Sequence, residues 1–353
     1  MISLASPLRQ HTRRISPTRA RRASGAAAPR GIRSITGGER TRARKGGAAI
    51  AANDPINQLS TVPDTPPSAG VSLDRMPPAI ADTKSANRND AARLGNPSFV
   101  WRSGQERRLE IMARFIPLHG ARVLDLGCGV GEYVRALARE GADTLGVDVA
   151  KSRLTEARRR LAADPPLQRD GGPELGTIAG LFAATGEALP VANDSLDAVI
   201  LNEVIEHVDD DAATLCEVAR TLRPGGTCVI FAPNRLYPFE THGIYLGQRY
   251  IFGNIPLVNW LPNVLRNRLV PHARAYRHSD WQRLASSANL ELTHHGYVYP
   301  GFDNVATRWP QVARVLRAIC YRAEHTPAAR LGLSHLVVLR RPTDLDRPVV
   351  PTS

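Results

Sequence analysis

No run of apolar residues in this 353-residue chain is long enough to span a bilayer, and the N-terminus lacks the apolar stretch of a secretory signal. Cysteine is scarce. Cys128, Cys216, Cys228 and Cys320 stand far apart and form no C-x-x-C pair. That excludes a cysteine-based structural zinc site and fits a reduced, cytoplasmic protein. Acidic residues are almost missing from the first fifty positions, where Glu39 stands alone against twelve Arg and Lys. This segment therefore carries +11 of the formal +13, and the rest of the chain only +2. The basic balance belongs to a tail, and the body has no charge excess that calls for nucleic acid.

Residues 1–95 also lack a sustained apolar period and are rich in Arg, Ala, Ser, Pro and Gly. Such a segment cannot bury enough surface to offset its ordering entropy, so a disordered basic tail is expected. Its Arg- and Ser-rich start also fits an organellar transit peptide, and a start codon placed too far upstream would look the same. The folded domain is expected over 96–341, followed by a tail over 342–353.

What the chain does have is organised around Val123-Leu-Asp-Leu-Gly-Cys-Gly-Val-Gly131. Val123, Leu124 and Leu126 read as a buried strand, and the stretch from Glu132 to Glu140 as a helix. Glycines at a strand-to-helix turn permit positive φ and let a ligand lie against bare backbone. The carboxyl end of a parallel strand is also where open α/β sheets bind ligands. The spacing is Gly-x-Gly-x-Gly, not the Gly-x-Gly-x-x-Gly of nicotinamide enzymes, and Asp125 stands two residues before the first glycine. A carboxylate there would repel a pyrophosphate but could pair with an ammonium.

The pattern Asp125-x-Gly127-x-Gly129-x-Gly131 resembles the first motif of the class I S-adenosylmethionine-dependent methyltransferases, whose cofactor carries an ammonium, a sulfonium and no phosphate. The resemblance covers about residues 98–233, and it is closest to the ubiquinone-biosynthesis O-methyltransferase group. It implies a doubly wound, Rossmann-like α/β fold. The sheet would have seven strands, mostly parallel with an antiparallel last strand, and helices on both faces. It implies S-adenosylmethionine bound by Asp125, Gly127, Cys128, Gly129 and Gly131. Asp148 ends the second strand, 17 residues beyond Gly131, where a carboxylate can accept from both ribose hydroxyls. It could equally cap the helix expected over Lys151–Ala162. Val149, Ala150 and Lys151 follow on the adenosine side. Thr185, Gly186 and Glu187 occupy the segment that lines adenine, although many family members have Asp where Thr185 stands. Asn202, at the tip of the fourth strand, would face the methyl group.

The remaining elements follow in order. A helix over 98–118 is expected to lie over the cofactor, with Trp101 and Arg102 able to touch ligand or only to pack. Strands are expected over Asp143–Val149, Ile178–Thr185, Leu196–Asn202 and Thr227–Ala232. Residues 164–176 form a polar loop. Residues 234–279 are too long for an ordinary connection and rich in Pro, Arg and aromatics, so they read as a substrate cap. Leu290–Tyr299 and His335–Arg340 would form an antiparallel hairpin that closes the sheet.

Methyl transfer to a hydroxyl requires the acceptor to be held in line and deprotonated. Glu203-x-x-Glu206-His207 is the cluster suited to this, its three side chains sharing one face if the segment is one helical turn. Two readings stay open. Glu203, Glu206 and His207 could hold a divalent cation, magnesium in the resemblance. Without a metal, His207 could act as base with Glu206 orienting it. His242 is a second candidate base or ligand. A small-molecule acceptor is expected, methylated on oxygen. The alternatives are a metal-dependent RNA ribose 2′-O-methyltransferase, drawing on Arg249, Arg266, Arg268, Arg274 and Arg277, or a non-catalytic cofactor-binding protein.

Overall fold

A computed structural model describes residues 101–165 and 174–343. The tail expected over 1–95, most of the loop over 164–176, and residues 344–353 lie outside the described residues.

The chain alternates strand and helix. Helix α1 (Ser103–Met112) leads into β1 (Arg122–Leu126), α2 (Glu132–Arg139), β2 (Asp143–Asp148), α3 (Lys151–Ala163) and β3 (Ile178–Ala183). Then come β4 (Leu196–Asn202), α4 (Asp211–Thr221) and β5 (Leu222–Pro233). The cap holds four short strands, β6 (Phe239–Glu240), β7 (Ile244–Leu246), β8 (Arg249–Ile251) and β9 (Ile255–Pro256), a 3-10 turn (Val258–Trp260) and α5 (Asn263–Leu269). The chain returns through α6 (His278–Ser287), β10 (Glu291–Val298), α7 (Asp303–Arg308), α8 (Pro310–Ala323), a second 3-10 turn (Pro327–Leu331) and β11 (Ser334–Arg340).

Seven strands form one sheet in the order β10-β11-β5-β4-β1-β2-β3. Only β11 runs against its neighbours; every other pairing is parallel. This is the doubly wound arrangement expected. Its central strands are nearly all apolar because helices cover both faces. In β4, Val199 and Leu201 pack with Leu215 and Val218 of α4 and Trp281 and Leu284 of α6. The alternate residues Ala198 and Ile200 pack on the other face with Leu109 and Met112 of α1 and Leu137 of α2. The cap has a small core of its own, built on Ile244, Val258, Val270 and Ala273.

Two expectations need correction. Strands β10 and β11 are not joined by a hairpin turn, because α7 and α8 intervene. Helix α8 buries only Ala313, although Val312, Val315, Leu316 and Ile319 recur at helical spacing and Pro310 stands in its first turn. The segment Glu203–His207 is a turn and not a helical turn, and Glu203 sits at φ +57°.

A chain of imidazoles ties α6 to the closing strands. His278 Nδ1 meets His295 Nδ1 at 2.9 Å, and His295 Nε2 meets His335 Nδ1 at 2.8 Å. His335 Nε2 lies 2.8 Å from the Tyr276 carbonyl, which can only accept. With His335 neutral, the chain runs in one direction, each ring donating toward the carbonyl. Burial, followed by the neighbouring histidines 335, 278 and 294, pushes His295 down to about 3. Burial pushes His335 down to about 4 against the pull of the Tyr276 carbonyl; His278 reinforces the drop, and Asp280 and Glu203 oppose it. The unfolded chain takes up these protons near the ordinary value of 6.5, so stability is present above that pH and is lost as pH falls toward 4. We expect Tm to drop between about pH 7 and about pH 5. The drop should be smaller in His335→Asn, which keeps a donor for the carbonyl but has no titrating ring. Equal drops in both proteins would remove His335 from the account.

Candidate active site

The carboxyl tips of β1, β2 and β4 surround one cavity of about 580 Å³, within the range of ligand sites. The turn after β1 is forced by its glycines. Gly127 has φ +78°, and a Cβ there would sit 2.3 Å from the Val204 side chain. Gly131, at φ +82°, starts α2. The Gly129 N–H donates to Asp148 Oδ2 at 2.9 Å, and the Ala150 N–H donates to Oδ1 at 2.8 Å. Asp148 thus braces the glycine turn from the next strand. It does not cap α3, whose N-cap residue is Ala150.

Gly127, Cys128, Gly129, Asp148, Val149, Thr185, Gly186, Glu187, Asn202, Glu203, His207 and His242 all line this cavity. Gly131 starts a helix at its edge, while Asp125 and Glu206 are buried behind the wall, each 2% exposed. Asp125 Oδ2 and the Tyr133 hydroxyl are buried and meet no hydrogen-bond partner. Burial, reinforced by the charge of Asp148, pushes the Asp125 carboxyl up to about 8.

The two halves of the Glu-x-x-Glu-His segment go separate ways. Glu203 accepts from Arg108 of α1 at 2.7 Å and from the Ser334 hydroxyl of β11 at 2.6 Å. Arg108 also donates to Asn202 and lies over the Phe231 ring. Although burial opposes it, Arg108 holds Glu203 below the ordinary carboxylate value. Glu206 and His207 instead meet His242 from the cap. Glu206 Oε1 lies 3.9 Å from His207 Nε2 and 3.7 Å from His242 Nε2, and neither Glu206 oxygen has a hydrogen-bond partner. His207 Nδ1 faces the His272 carbonyl at 3.1 Å. His242 Nδ1 faces Glu240 Oε1 at 3.0 Å, and Glu240 is ion-paired with the buried Arg266 at 2.8 Å. Burial pushes Glu206 up to about 7 against the pull of His242, and His207 down to about 4. Burial alone would lower His242, but the flanking Glu206 and Glu240 hold it at about 10.

Several lining residues carry no motif. Arg108 is one Arg among several in α1. Tyr133 sits in the helix after the glycines, where Trp101 packs edge-on against it. Tyr299, the last residue of the strand expected over Leu290–Tyr299, and Tyr321, from the connection between β10 and β11, also line the cavity. Arg102 lines the cavity, whereas Trp101 does not. Of the arginines of the RNA alternative, Arg266 is 3% exposed and paired with Glu240, and Arg274 donates to the carbonyls of Val208 and Asp209, whereas Arg249, Arg268 and Arg277 are exposed.

Known proteins resemble this chain. Residues 124–230 match the family model described as a methyltransferase domain. The "Ubiquinone biosynthesis O-methyltransferase" of Sinorhizobium medicae is 33% identical over 193 residues, which cover 55% of this chain and 68% of that protein. The chain belongs to the class I S-adenosylmethionine-dependent methyltransferases. The protein of the same name from Sinorhizobium fredii is 28% identical over equal shares of both chains. A crystal structure of an S-adenosylmethionine-dependent methyltransferase from Mesorhizobium loti is 22% identical, covers 66% of this chain and 96% of that one, and has a TM-score of 0.42. Among the described residues, no helix of this methyltransferase is long and apolar enough to cross a membrane.

The residues fit the family's cofactor. An unpartnered buried carboxyl and hydroxyl, a glycine turn with no room for Cβ, and a strand-tip Asp suit an ammonium, a nucleoside and its ribose. They do not fit the expected magnesium. Mg²⁺ takes an octahedron of oxygens, whereas one carboxylate and two imidazoles converge here. The second carboxylate of the segment, Glu203, is committed to Arg108.

Gly127→Ala should abolish the turn, because both φ and the Val204 contact oppose a side chain. We expect a loss of roughly 2 kcal/mol in stability and of cofactor binding, read by thermal melts and calorimetry. A variant that melts and binds like the parent would show that the turn can reopen.

Proposed function

We propose that this methyltransferase O-methylates a small hydroxylated aromatic acceptor of the quinone-precursor kind. The observation that carries this reading is the composition of the cavity. Tyr250 and Phe252 of the cap and Tyr299 and Tyr321 of the β10–β11 connection line the same space as the glycine turn, His207 and His242. Aromatic walls offer a planar acceptor offset and edge-on contacts. The name shared by the relatives from Sinorhizobium supports the same acceptor class.

S-adenosylmethionine supplies a methyl group on a sulfonium, already a good leaving group. Asp125 and Tyr133 are suited to hold its ammonium, Asp148 and Val149 its ribose, and Thr185, Gly186 and Glu187 its adenine. Asn202, at the tip of β4, also lines the cavity. What remains for the chain is to orient the acceptor and remove its hydroxyl proton, and the cluster is placed to do both.

Pairing with an ammonium requires Asp125 ionised, and its carboxyl is held at about 8 in the protein alone. Cofactor affinity should therefore weaken as pH falls, by roughly twentyfold between about pH 8.5 and about pH 6.5. Asp125→Asn should bind weakly at both values and lose the slope. An unchanged slope in that variant would assign the effect to another group.

The acceptor reading is tested by transfer of labelled methyl from S-adenosylmethionine into host extract divided into small-molecule and RNA fractions. Label is expected in an aromatic small molecule and in none of the RNA. Label confined to RNA would overturn the reading.

A further inference from the structure

We propose that Arg107 of α1, held flat by Glu324, is the surface against which the acceptor's ring stacks, so that the site selects planar, electron-rich rings. The inference rests on the aromatic-acceptor reading and adds the residue that chooses among such acceptors.

The pairing fixes a plane. Arg107 Nη1 donates to Glu324 Oε1 at 3.0 Å, and Nη2 donates to Oε2 of the same carboxylate. Two parallel bonds of this kind hold the guanidinium and the carboxylate in one plane. The Glu324 side chain is 9% exposed and also accepts the Tyr299 N–H at 2.8 Å, just past the end of β10. The carboxylate is thus anchored to the sheet, unlike the free partner of a surface pair.

The plane has two faces. On one, the guanidinium carbon lies 3.8 Å from the centre of the Tyr321 ring. Among the described residues, no second ring lies over Arg107. Its side chain is 23% exposed, and both it and Tyr321 line the cavity. The face away from Tyr321 is therefore the one left for a ligand. A guanidinium is weakly hydrated and stacks flat on π-systems, and its charge is drawn to the negative face of a ring. Hydroxyl groups make a ring more electron-rich, and loss of a hydroxyl proton makes it more so. Because Glu324 takes in-plane N–H groups and offsets the charge, an aliphatic anion gains little here. A planar ring gains the stacking surface.

The wall that carries Arg107 is itself braced. At the start of α1, Asp303 of α7 accepts from the Ser103 hydroxyl and, at 3.3 Å, from the Gly104 N–H. Arg317 of α8 donates to Asp303 Oδ1 at 3.1 Å and to Ser103 Oγ at 2.7 Å. The next residue, Arg108, turns its guanidinium to Asn202, Glu203 and Ser334 instead. One of two adjacent arginines supports the strand tips, and the other faces the acceptor. Glu324 is a positioning residue that acts through Arg107.

The test uses the full chain saturated with S-adenosylhomocysteine, so that nothing turns over, and reads binding by calorimetry at neutral pH. The probes are catechol, 4-methylcatechol, 4-chlorocatechol and cyclohexane-1,2-diol. Methyl and chloro groups are alike in size, so their affinity ratio reports the electron density of the ring. The parent is expected to bind catechol roughly fivefold tighter than the cyclic diol, and 4-methylcatechol about threefold tighter than 4-chlorocatechol. Arg107→Leu should weaken catechol binding roughly fivefold and bring the methyl-to-chloro ratio to about one. Arg107→Lys, which keeps the charge but not the plane, should keep less than about half of the catechol affinity. Glu324→Gln should lower the ratio while circular dichroism and cofactor affinity stay those of the parent. Arg314→Ala, on the exposed side of α8, should bind every probe as the parent does. Equal binding of catechol and the cyclic diol by the parent, or binding of neither, would overturn the inference together with the aromatic-acceptor reading. A parent that separates them, beside an Arg107→Leu variant that keeps the methyl-to-chloro ratio, would leave that reading standing and overturn the inference alone. Should Arg107→Leu fail to fold, Arg107→Gln, which keeps a donor for Glu324, decides by the same ratio.

Discussion

Four carboxyl groups are packed against the carboxyl edge of the sheet, and the site is shaped by how each one is neutralised. Asp148 spends its charge on two backbone N–H groups of the glycine turn and the start of α3. Glu203 takes Arg108 and Ser334. Asp125 has no such partner and Glu206 only the His242 ring at 3.7 Å, and burial pushes both carboxyls up, to about 8 and about 7. An unpaired buried carboxylate is costly, so these two positions are where the protein is incomplete without something positive. One lies beside the glycine turn and the other under the cap.

The cap is part of this electrostatic scheme and not only a cover. It carries its own apolar core, so it can hold its shape while it sits above the sheet. It also carries Arg266, buried at 3% exposure, whose guanidinium meets Glu240 and the Ala273 carbonyl. A buried Arg with satisfied donors is a rigid support. Through Glu240 it fixes the ring of His242, which reaches down to Glu206. A lid held only by apolar contacts could settle in several ways. One that must bring a particular imidazole to a particular carboxylate has few.

Much of the fold was legible because it is local. The glycine turn, the apolar runs of β1 and β4, and the helices α3 and α4 each announce themselves within a dozen residues. The strand order came from the resemblance that those motifs support. The site was legible only where it is built from one strand tip. Asp125, Asp148 and Asn202 each end a readable strand. Arg108 reaches Asn202, Glu203 and Ser334, residues 94, 95 and 226 positions away, and no local pattern records such a meeting. Helix α8 carries a local signal of its own, Val312, Val315, Leu316 and Ile319 at helical spacing, but nothing local says that its Tyr321 lines the cavity.

The Glu-x-x-Glu-His segment illustrates how little a short motif fixes. As one helical turn, it would present both carboxylates and the imidazole on one face, an oxygen-rich set. Positive φ at Glu203 breaks that turn at its first residue. For a non-glycine residue this conformation costs about 1 kcal/mol or more, so something must hold it. Arg108 and Ser334 do, pulling the carboxylate toward α1 and β11. Glu206 is left to face two rings, one of them 36 positions along the chain in the cap. The same five letters then yield a nitrogen-rich donor set in place of an oxygen-rich one.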